Sequence, residues 1–285
     1  MGLPDPPAPG QSMLPAGTFD GSVVLVTGGG TGLGRAIAVE FARLGASVAV
    51  ASRDAVHRAS GMAAVEAAGG SAAGVEVDVR DADSIAAAFD AVETELGPVD
   101  ILVNNAAANF PVLAEEMSPR AWRAVTDIVL DGTFFCSTEL ARRCIARVSG
   151  GAVLNIGATY SWTGGPTTAH SAASKAAVTN LTMSLAVEWA PHGIRVNCLA
   201  PGLFPHDDHP PALRAGRDPE RDARSIPAGR VGQAHELGWA ATYLCSPFAS
   251  YVTGHTLVVD GANWLRRSLR MPEFIPPADQ LAARA

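Results

Sequence analysis

The chain is short of charge and of aromatic rings: Asp, Glu, Lys and Arg make up 17% of its 285 residues, and Phe, Trp and Tyr only 6%. With 21 basic against 28 acidic residues its net charge is −7, so no broad basic face is available and no nucleic-acid partner is expected. Cysteine is scarce as well. Cys136, Cys144, Cys198 and Cys245 show neither a CxxC pair nor ligand-like spacing, and read as reduced core thiols suited to a cytoplasmic setting. No apolar run approaches the roughly 20 residues that cross a bilayer, so no membrane partner is expected. The opening MGLPDPPAPGQSMLPAG carries Pro and Gly where a signal peptide carries positive charge and an apolar block, and residues 1–18 are expected to be a disordered leader. Gly2 lacks the downstream Ser or Thr of a myristoylation site, and the closing LAARA is no peroxisomal address.

What the chain does have is small apolar residues, 48% apolar overall with 29 glycines, enough for one catalytic domain over residues 19–263 followed by a tail over 264–285. Its organising stretch is VVLVTGGGTGLGRAIA, from Val23 to Ala38. Val23 to Val26 are stiff and apolar, as in a strand buried on both faces of a parallel sheet. Glycines then let the backbone turn and approach a ligand, and the following helix directs its first N–H groups and positive dipole end into that turn, where a pyrophosphate binds well. Thr27, Gly28, Gly30, Thr31, Gly32, Leu33 and Gly34 are the candidate cofactor contacts. A ligand-free strand-to-helix turn is the bland alternative.

Further strands are expected at 46–51, 74–79, 101–103, 152–156, 194–199 and 256–259, and helices at about 82–96, 118–148, 171–189 and 234–245. The alternation predicts an α/β fold, a single-domain doubly wound parallel sheet with helices on both faces and a ligand crevice at the strands' C-terminal ends. At the end of the second strand stand Ser52 and Arg53. An acid there accepts from a ribose 2′-OH, whereas an Arg accommodates a 2′-phosphate, so Arg53, with Ser52 as a hydroxyl donor, favours NADP over NAD. Neighbouring Asp54 keeps NAD open, and Arg35 is a second candidate for the phosphate. Residues 203–228, rich in Pro, Arg and Asp, read as a substrate lid. Within them His206, Asp207, Asp208 and His209 are adjacent and cannot all face one ion, so no metal is expected. Arg214, Arg217, Arg266, Arg267 and Arg270 are free cations without an assigned place.

TGGGTGLG resembles the TGxxxGxG signature of the short-chain dehydrogenase/reductase family, whose Rossmann-like sheet binds a nicotinamide dinucleotide. The resemblance places Asp78 and Val79 beside the adenine and makes Asn104-Asn105-Ala106-Ala107 the counterpart of an NNAG element. Asn104 and Ala106 then line the cofactor, or the two Asn side chains lock neighbouring backbone. Pro201 and Gly202 match the family's Pro-Gly, although the Thr that usually follows is absent from LFPHDDH.

Three of four expected polar groups are missing. Lys175 is kept, but Ser171 stands where the family has Tyr, Ala158 where it has Ser, and Val129 where it has a helix Asn. The replacement pattern resembles the 2,4-dienoyl-CoA reductase branch: NNAAANF for NNAAGNF, TDIVLDGT for TDIVLNGT, SAASK for SASAK, and Tyr160 just after the fifth strand. The likeness runs from about residue 22 to 262 and puts the catalytic roles on Asn109, Tyr160, Ser171 and Lys175.

The resemblance implies an NADPH-dependent reductase of acyl thioesters, with acyl-CoA as substrate and a homotetramer as the assembly. Reduction of a conjugated dienoyl thioester drives charge onto the thioester oxygen, so Tyr160 and Asn109 are expected to donate to it. Lys175 is expected to hold the nicotinamide ribose and to favour an ionised Tyr160 phenol, and Ser171 to position Lys175 or substrate. Asp131, where the branch has Asn, is without a reading. The rivals are a carbonyl or 3-ketoacyl reductase using Tyr160 as acid, and a non-catalytic NADP-binding scaffold.

Overall fold

Val23, Val24, Leu25 and Val26 are all buried because their side chains alternate between two apolar layers, Val24 and Val26 in one and Val23 and Leu25 in the other. Around this strand, β1 (Val23–Thr27), a computed structural model of residues 2–206, 208, 218–265 and 276–283 shows seven parallel strands in the order β3-β2-β1-β4-β5-β6-β7. The others are β2 (Ser47–Ala51), β3 (Ser71–Val75), β4 (Val99–Asn104), β5 (Gly151–Ile156), β6 (Ile194–Pro201) and β7 (Thr256–Val259). The order reverses between β1 and β4, which opens a crevice at their C-terminal ends.

One face of the sheet is covered by α1 (Gly32–Arg43), α2 (Ala55–Ala67) and α9 (Ala234–Cys245), through Ile37, Phe41, Val65, Leu237 and Leu244. The other carries α3 (Ala82–Glu95), α5 (Gly132–Arg147) and α7 (Ala169–Trp189), through Phe89, Val92, Leu140 and Leu185. Phe41 is fully buried with its ring edge on Phe19, and truncating such a residue to Ala costs about 3–5 kcal/mol. The four cysteines are buried and free, and burial pushes the Cys136 and Cys245 thiols up to about 12. Among the described residues no helix is long and apolar enough to cross a membrane.

Three expectations change. The third strand is Ser71–Val75, not 74–79: β2 ends at Ala51, paired with Val75, so no neighbour remains beyond that point. Val77 and Val79 stay buried without a ladder, which is why the alternation there resembled a strand. The helix expected over 118–148 is two helices, α4 (Pro119–Thr126) and α5, joined by a π-helical turn at Asp127–Asp131. The leader is not free. Its proline-rich backbone serves as a strip of acceptors: Arg230 Nε donates to Pro4 O at 3.0 Å, Trp239 Nε1 to Gln11 O at 3.0 Å, and His235 Nε2 lies 3.1 Å from Pro7 O. In the expected lid, α8 (Pro219–Ser225) begins on Asp218. Asp207, His209, Arg214 and Arg217 lie outside the described residues, as do Arg266, Arg267 and Arg270.

Candidate active site

The glycine turn is closed over by β4. Thr27 Oγ1 accepts from the Asn105 and Ala106 N–H groups, both at 3.0 Å, and Asn105 Nδ2 donates back to the Thr27 and Gly28 carbonyls at 3.0 and 3.1 Å. Gly28 has φ +65°, and a Cβ on Gly34 would lie 2.3 Å from both Asn105 Nδ2 and the Gly28 carbonyl, so neither position admits a side chain without displacing the turn. Asn105 is therefore a backbone lock. Asn104 is one too: its carboxamide nitrogen donates to Ser137 Oγ at 2.8 Å and Asn155 Oδ1 at 2.9 Å, while Asn155 Nδ2 donates to Thr182 Oγ1 at 2.9 Å. This buried network ties β4 and β5 to α5 and α7. The side chain of Asn104 is thus committed inside the protein, and any contact it makes with a cofactor falls to its backbone.

The start of α1 fits an anion. Thr31 gives it no side-chain cap, and the Gly32 N–H instead donates to Asp208 Oδ2 at 2.7 Å. The same oxygen receives Arg35 Nη2 at 3.0 Å. A carboxylate held by a helix N-terminus and a guanidinium stands in for the phosphate that this turn suits. Neither Asp208 nor Arg35 was assigned this pairing from sequence, since 176 residues separate Asp208 from Gly32.

At the edge of β2, Asp54 proves to be the cap of α2. Its Oδ1 accepts from Val56 N at 2.7 Å and His57 N at 3.2 Å, and these bonds hold its carboxyl below the usual range. Arg53 is exposed and lies 3.9 Å from Asp78, whose carboxylate is held chiefly by Arg80 and pulled down to about 2. Ser52 Oγ accepts from Asp54 N at 3.2 Å and keeps its own hydroxyl proton to donate. Val79, next to Asp78 in the chain, is buried. Pro201 ends β6 and Gly202 N donates to Val259 O at 2.9 Å, which sets both at the sheet's C-terminal edge.

On the far side of the crevice, α6 (Tyr160–Thr163) follows β5 directly. Tyr160 Oη lies 3.0 Å from Ser171 Oγ on the first turn of α7. Burial raises the phenol's pKa and the Ser171 hydrogen bond partly opposes it. The expectation that Lys175 ionises this phenol is not met. Fully buried Lys175 donates from Nζ to the Ile156 carbonyl, and burial lowers its pKa to about 8. The Ser171 hydroxyl accordingly pairs with Tyr160, while the Lys175 ammonium turns to the Ile156 carbonyl. Where the family carries a helix Asn, Val129 sits in the π-helical turn and packs with Val125 against Val178 of α7, an apolar contact in place of a polar one. Asp131 closes that turn.

Asn109 sits on the loop after β4. Its Oδ1 is buried without a hydrogen-bond partner, so this acceptor is not consumed by the fold. The loop is fastened to the start of α7 by Val112 N donating to Thr167 O at 2.8 Å and by Phe110 meeting the His170 ring edge-on, centroids 4.7 Å apart. His170 is a residue that sequence reasoning passed over, because a histidine beside an Ala-rich helix carries no signature until its burial is known.

Comparison with known proteins places this geometry. The family model described as enoyl-(acyl carrier protein) reductase matches residues 28–262. The chain is 46% identical over 256 residues to an uncharacterized oxidoreductase of Caenorhabditis elegans, covering 88% of this chain and 82% of that one. It is 38% identical to a probable 2,4-dienoyl-CoA reductase of Bacillus subtilis, covering 85% and 96%, and 40% identical to a peroxisomal 2,4-dienoyl-CoA reductase of Rattus norvegicus, covering 85% and 84%. Among solved structures, a gluconate 5-dehydrogenase from Burkholderia cenocepacia in complex with NADP and tartrate superposes with a TM-score of 0.80 at 34% identity, covering 87% of this chain and 97% of that one.

Proposed function

The chain belongs to the short-chain dehydrogenase/reductase family, and from its site we propose that it is an NADPH-dependent reductase of conjugated acyl thioesters, of the 2,4-dienoyl-CoA type. The observation that carries the reading is the Tyr160 phenol paired with the Ser171 hydroxyl at 3.0 Å, in a site whose usual Ser and helix-borne Tyr positions hold Ala158 and Ser171. A site that forms no alcohol has no need of a phenol placed to relay an alcohol proton. It needs donors aimed at the thioester oxygen, where negative charge develops.

The dinucleotide supplies the hydride when bound. Thr27 to Gly34 and the start of α1 hold its pyrophosphate. Arg53, exposed and only loosely paired with Asp78, and Arg35, once it leaves Asp208, meet a 2′-phosphate, while Asp54 spends its Oδ1 on the cap of α2. Lys175, presented from α7 beside the Ile156 carbonyl, holds the nicotinamide ribose. Tyr160 and Asn109 donate to the thioester oxygen of the dienolate, and a proton delivered from solvent to its carbon completes the reduction. Ser171 orients the phenol.

Exposed Phe134, Ile145, Met183 and Val187 on α5 and α7 support the homotetramer as the assembly, and the four unpaired thiols support a cytoplasmic setting. The parallel assay of 2,4-dienoyl-CoA and 3-ketoacyl-CoA with NADPH tests the reading: selective consumption of the dienoyl substrate is expected. Turnover of the ketoacyl substrate alone makes Tyr160 an ordinary acid, and NADPH binding without turnover of any thioester leaves only a scaffold. Arg53→Ala is expected to raise the KM for NADPH and leave that for NADH unchanged.

A further inference from the structure

His170 stands between the two groups on which the thioester contact depends. Its side chain is fully buried at the first turn of α7. On one side its ring meets Phe110 at 80°, and Phe110 directly follows Asn109. On the other, its Nδ1 accepts the Ser171 N–H at 2.7 Å, and Ser171 Oγ is the partner of the Tyr160 phenol. Thr168 gives α7 no side-chain cap, so this imidazole is the acceptor for an N–H that the helix leaves without an intrahelical partner. Two polar atoms here, His170 Nε2 and Asn109 Oδ1, are buried with no hydrogen-bond partner, which a protein interior rarely tolerates outside working sites.

We infer that His170 is a positioning residue: one ring braces the Asn109 loop through Phe110 and the Tyr160–Ser171 pair through Nδ1, holding the two donors in register on one oxygen. The inference rests on the dienoyl thioester reading of the site. It needs the imidazole neutral, because a protonated Nδ1 accepts nothing. Burial holds the imidazole's pKa below its ordinary value, against a weaker contribution from the Thr168 backbone. A histidine that merely filled space would use only its ring face. This one packs its ring at 80° against Phe110 on the Asn109 loop and also turns its Nδ1 lone pair onto the Ser171 N–H of its own helix.

The two functions separate by substitution. His170→Asn keeps an acceptor near the Nδ1 position and loses the ring, His170→Phe keeps a ring and loses the acceptor, and His170→Ala loses both. With saturating NADPH and dienoyl-CoA, His170→Ala is expected to lower kcat about tenfold or more with the Kd for NADPH unchanged, and each of the other two to restore part of the loss. A second readout needs no substrate. The Tyr160 phenol, isolated by ultraviolet difference titration against Tyr160→Phe, is expected to ionise at higher pH in His170→Phe and His170→Ala, where the Ser171 bond slackens, and as in the parent in His170→Asn.

Parent-like kcat and phenol titration in His170→Ala overturn the inference. So does a loss shared equally by all three variants with weakened NADPH binding, which marks a role in the fold alone. Should His170→Ala fail to fold, the Asn and Phe variants carry the same contrast. If the parent protein consumes no dienoyl thioester, the functional reading falls while the phenol titration still decides what His170 does.

Discussion

Six helices of this molecule begin in one of two ways. Helices α2, α3, α4 and α8 start on Asp54, Asp81, Ser118 and Asp218, each accepting from backbone N–H groups of its own first turn. Helices α1 and α7 start on Thr31 and Thr168, which cap nothing, and other side chains meet their first-turn donors: Asp208 from a distant loop at α1, and at α7 the imidazole of His170 within the turn itself. The first group holds the fold and satisfies itself within a few residues. The second group opens onto the crevice, where a first-turn donor left uncommitted is available to a ligand or to a side chain that must be placed with care.

The open end of α7 should give the largest effect. Tyr160→Phe removes the phenol that Ser171 orients, and the loss of one oxyanion donor costs about 2.7–4 kcal/mol, or about 10²–10³ in kcat. Steady-state kinetics beside a fluorescence titration of NADPH would show turnover falling with cofactor affinity intact. Equal losses in both would erase the distinction between the two helix starts as seats of different steps.

The charge of Lys175 is next in size. Its pKa lies at about 8, so the ammonium is present below that pH and is lost above it. Activity is expected to fall about tenfold for each pH unit beyond the midpoint, since each unit removes about nine-tenths of the charged form. Stability moves the other way. Between about 8 and the ordinary lysine value near 10.5 the unfolded chain binds more protons, so this group makes the cofactor-free fold firmer as pH rises. A pH series of activity and of thermal melting, run side by side, checks both signs.

At the open end of α1, Asp208→Asn removes the charge that rests on Gly32 and Arg35. A partly exposed pair of this kind is worth up to about 1 kcal/mol, so NADPH is expected to bind about fivefold tighter in low salt, with the gain shrinking as salt is added. Unchanged affinity would mean that the carboxylate and the phosphate do not compete. At a closed end, Ser118→Ala is the smallest change: its hydroxyl accepts from Ala121 N at 3.1 Å, and losing a cap costs about 1 kcal/mol of stability. The melting temperature should drop by about 2–4 °C with kcat and NADPH affinity untouched.

The same contrast explains what was legible in the amino-acid sequence. The glycine turn and the doubly wound order could be read because each rests on a pattern along the chain, whereas Tyr160, Ser171 and Lys175 were singled out by resemblance, and the structure sets the first two side by side. Asp54 looked like a possible ribose partner because its cap bonds run to backbone, which residue type alone does not reveal. Asp208, His170 and the Asn104–Asn155–Thr182 network depend on segments far apart in sequence. The end of β3 could not be placed either, since it is decided by where its neighbour stops.

The π-helical turn at Asp127–Asp131 adds one residue between α4 and α5 beyond what an unbroken α-helix would hold. The bulge takes up that extra residue without turning α5, whereas removing a residue from the α-helix just beyond it would rotate the rest of α5 by roughly 100° against the sheet. Ser137 would swing off Asn104, and Cys136 and Leu140 would leave the apolar layer they now fill. That helix tolerates a change of side chain far better than a change of count, and its length is inherited as a unit with the far wall of the crevice.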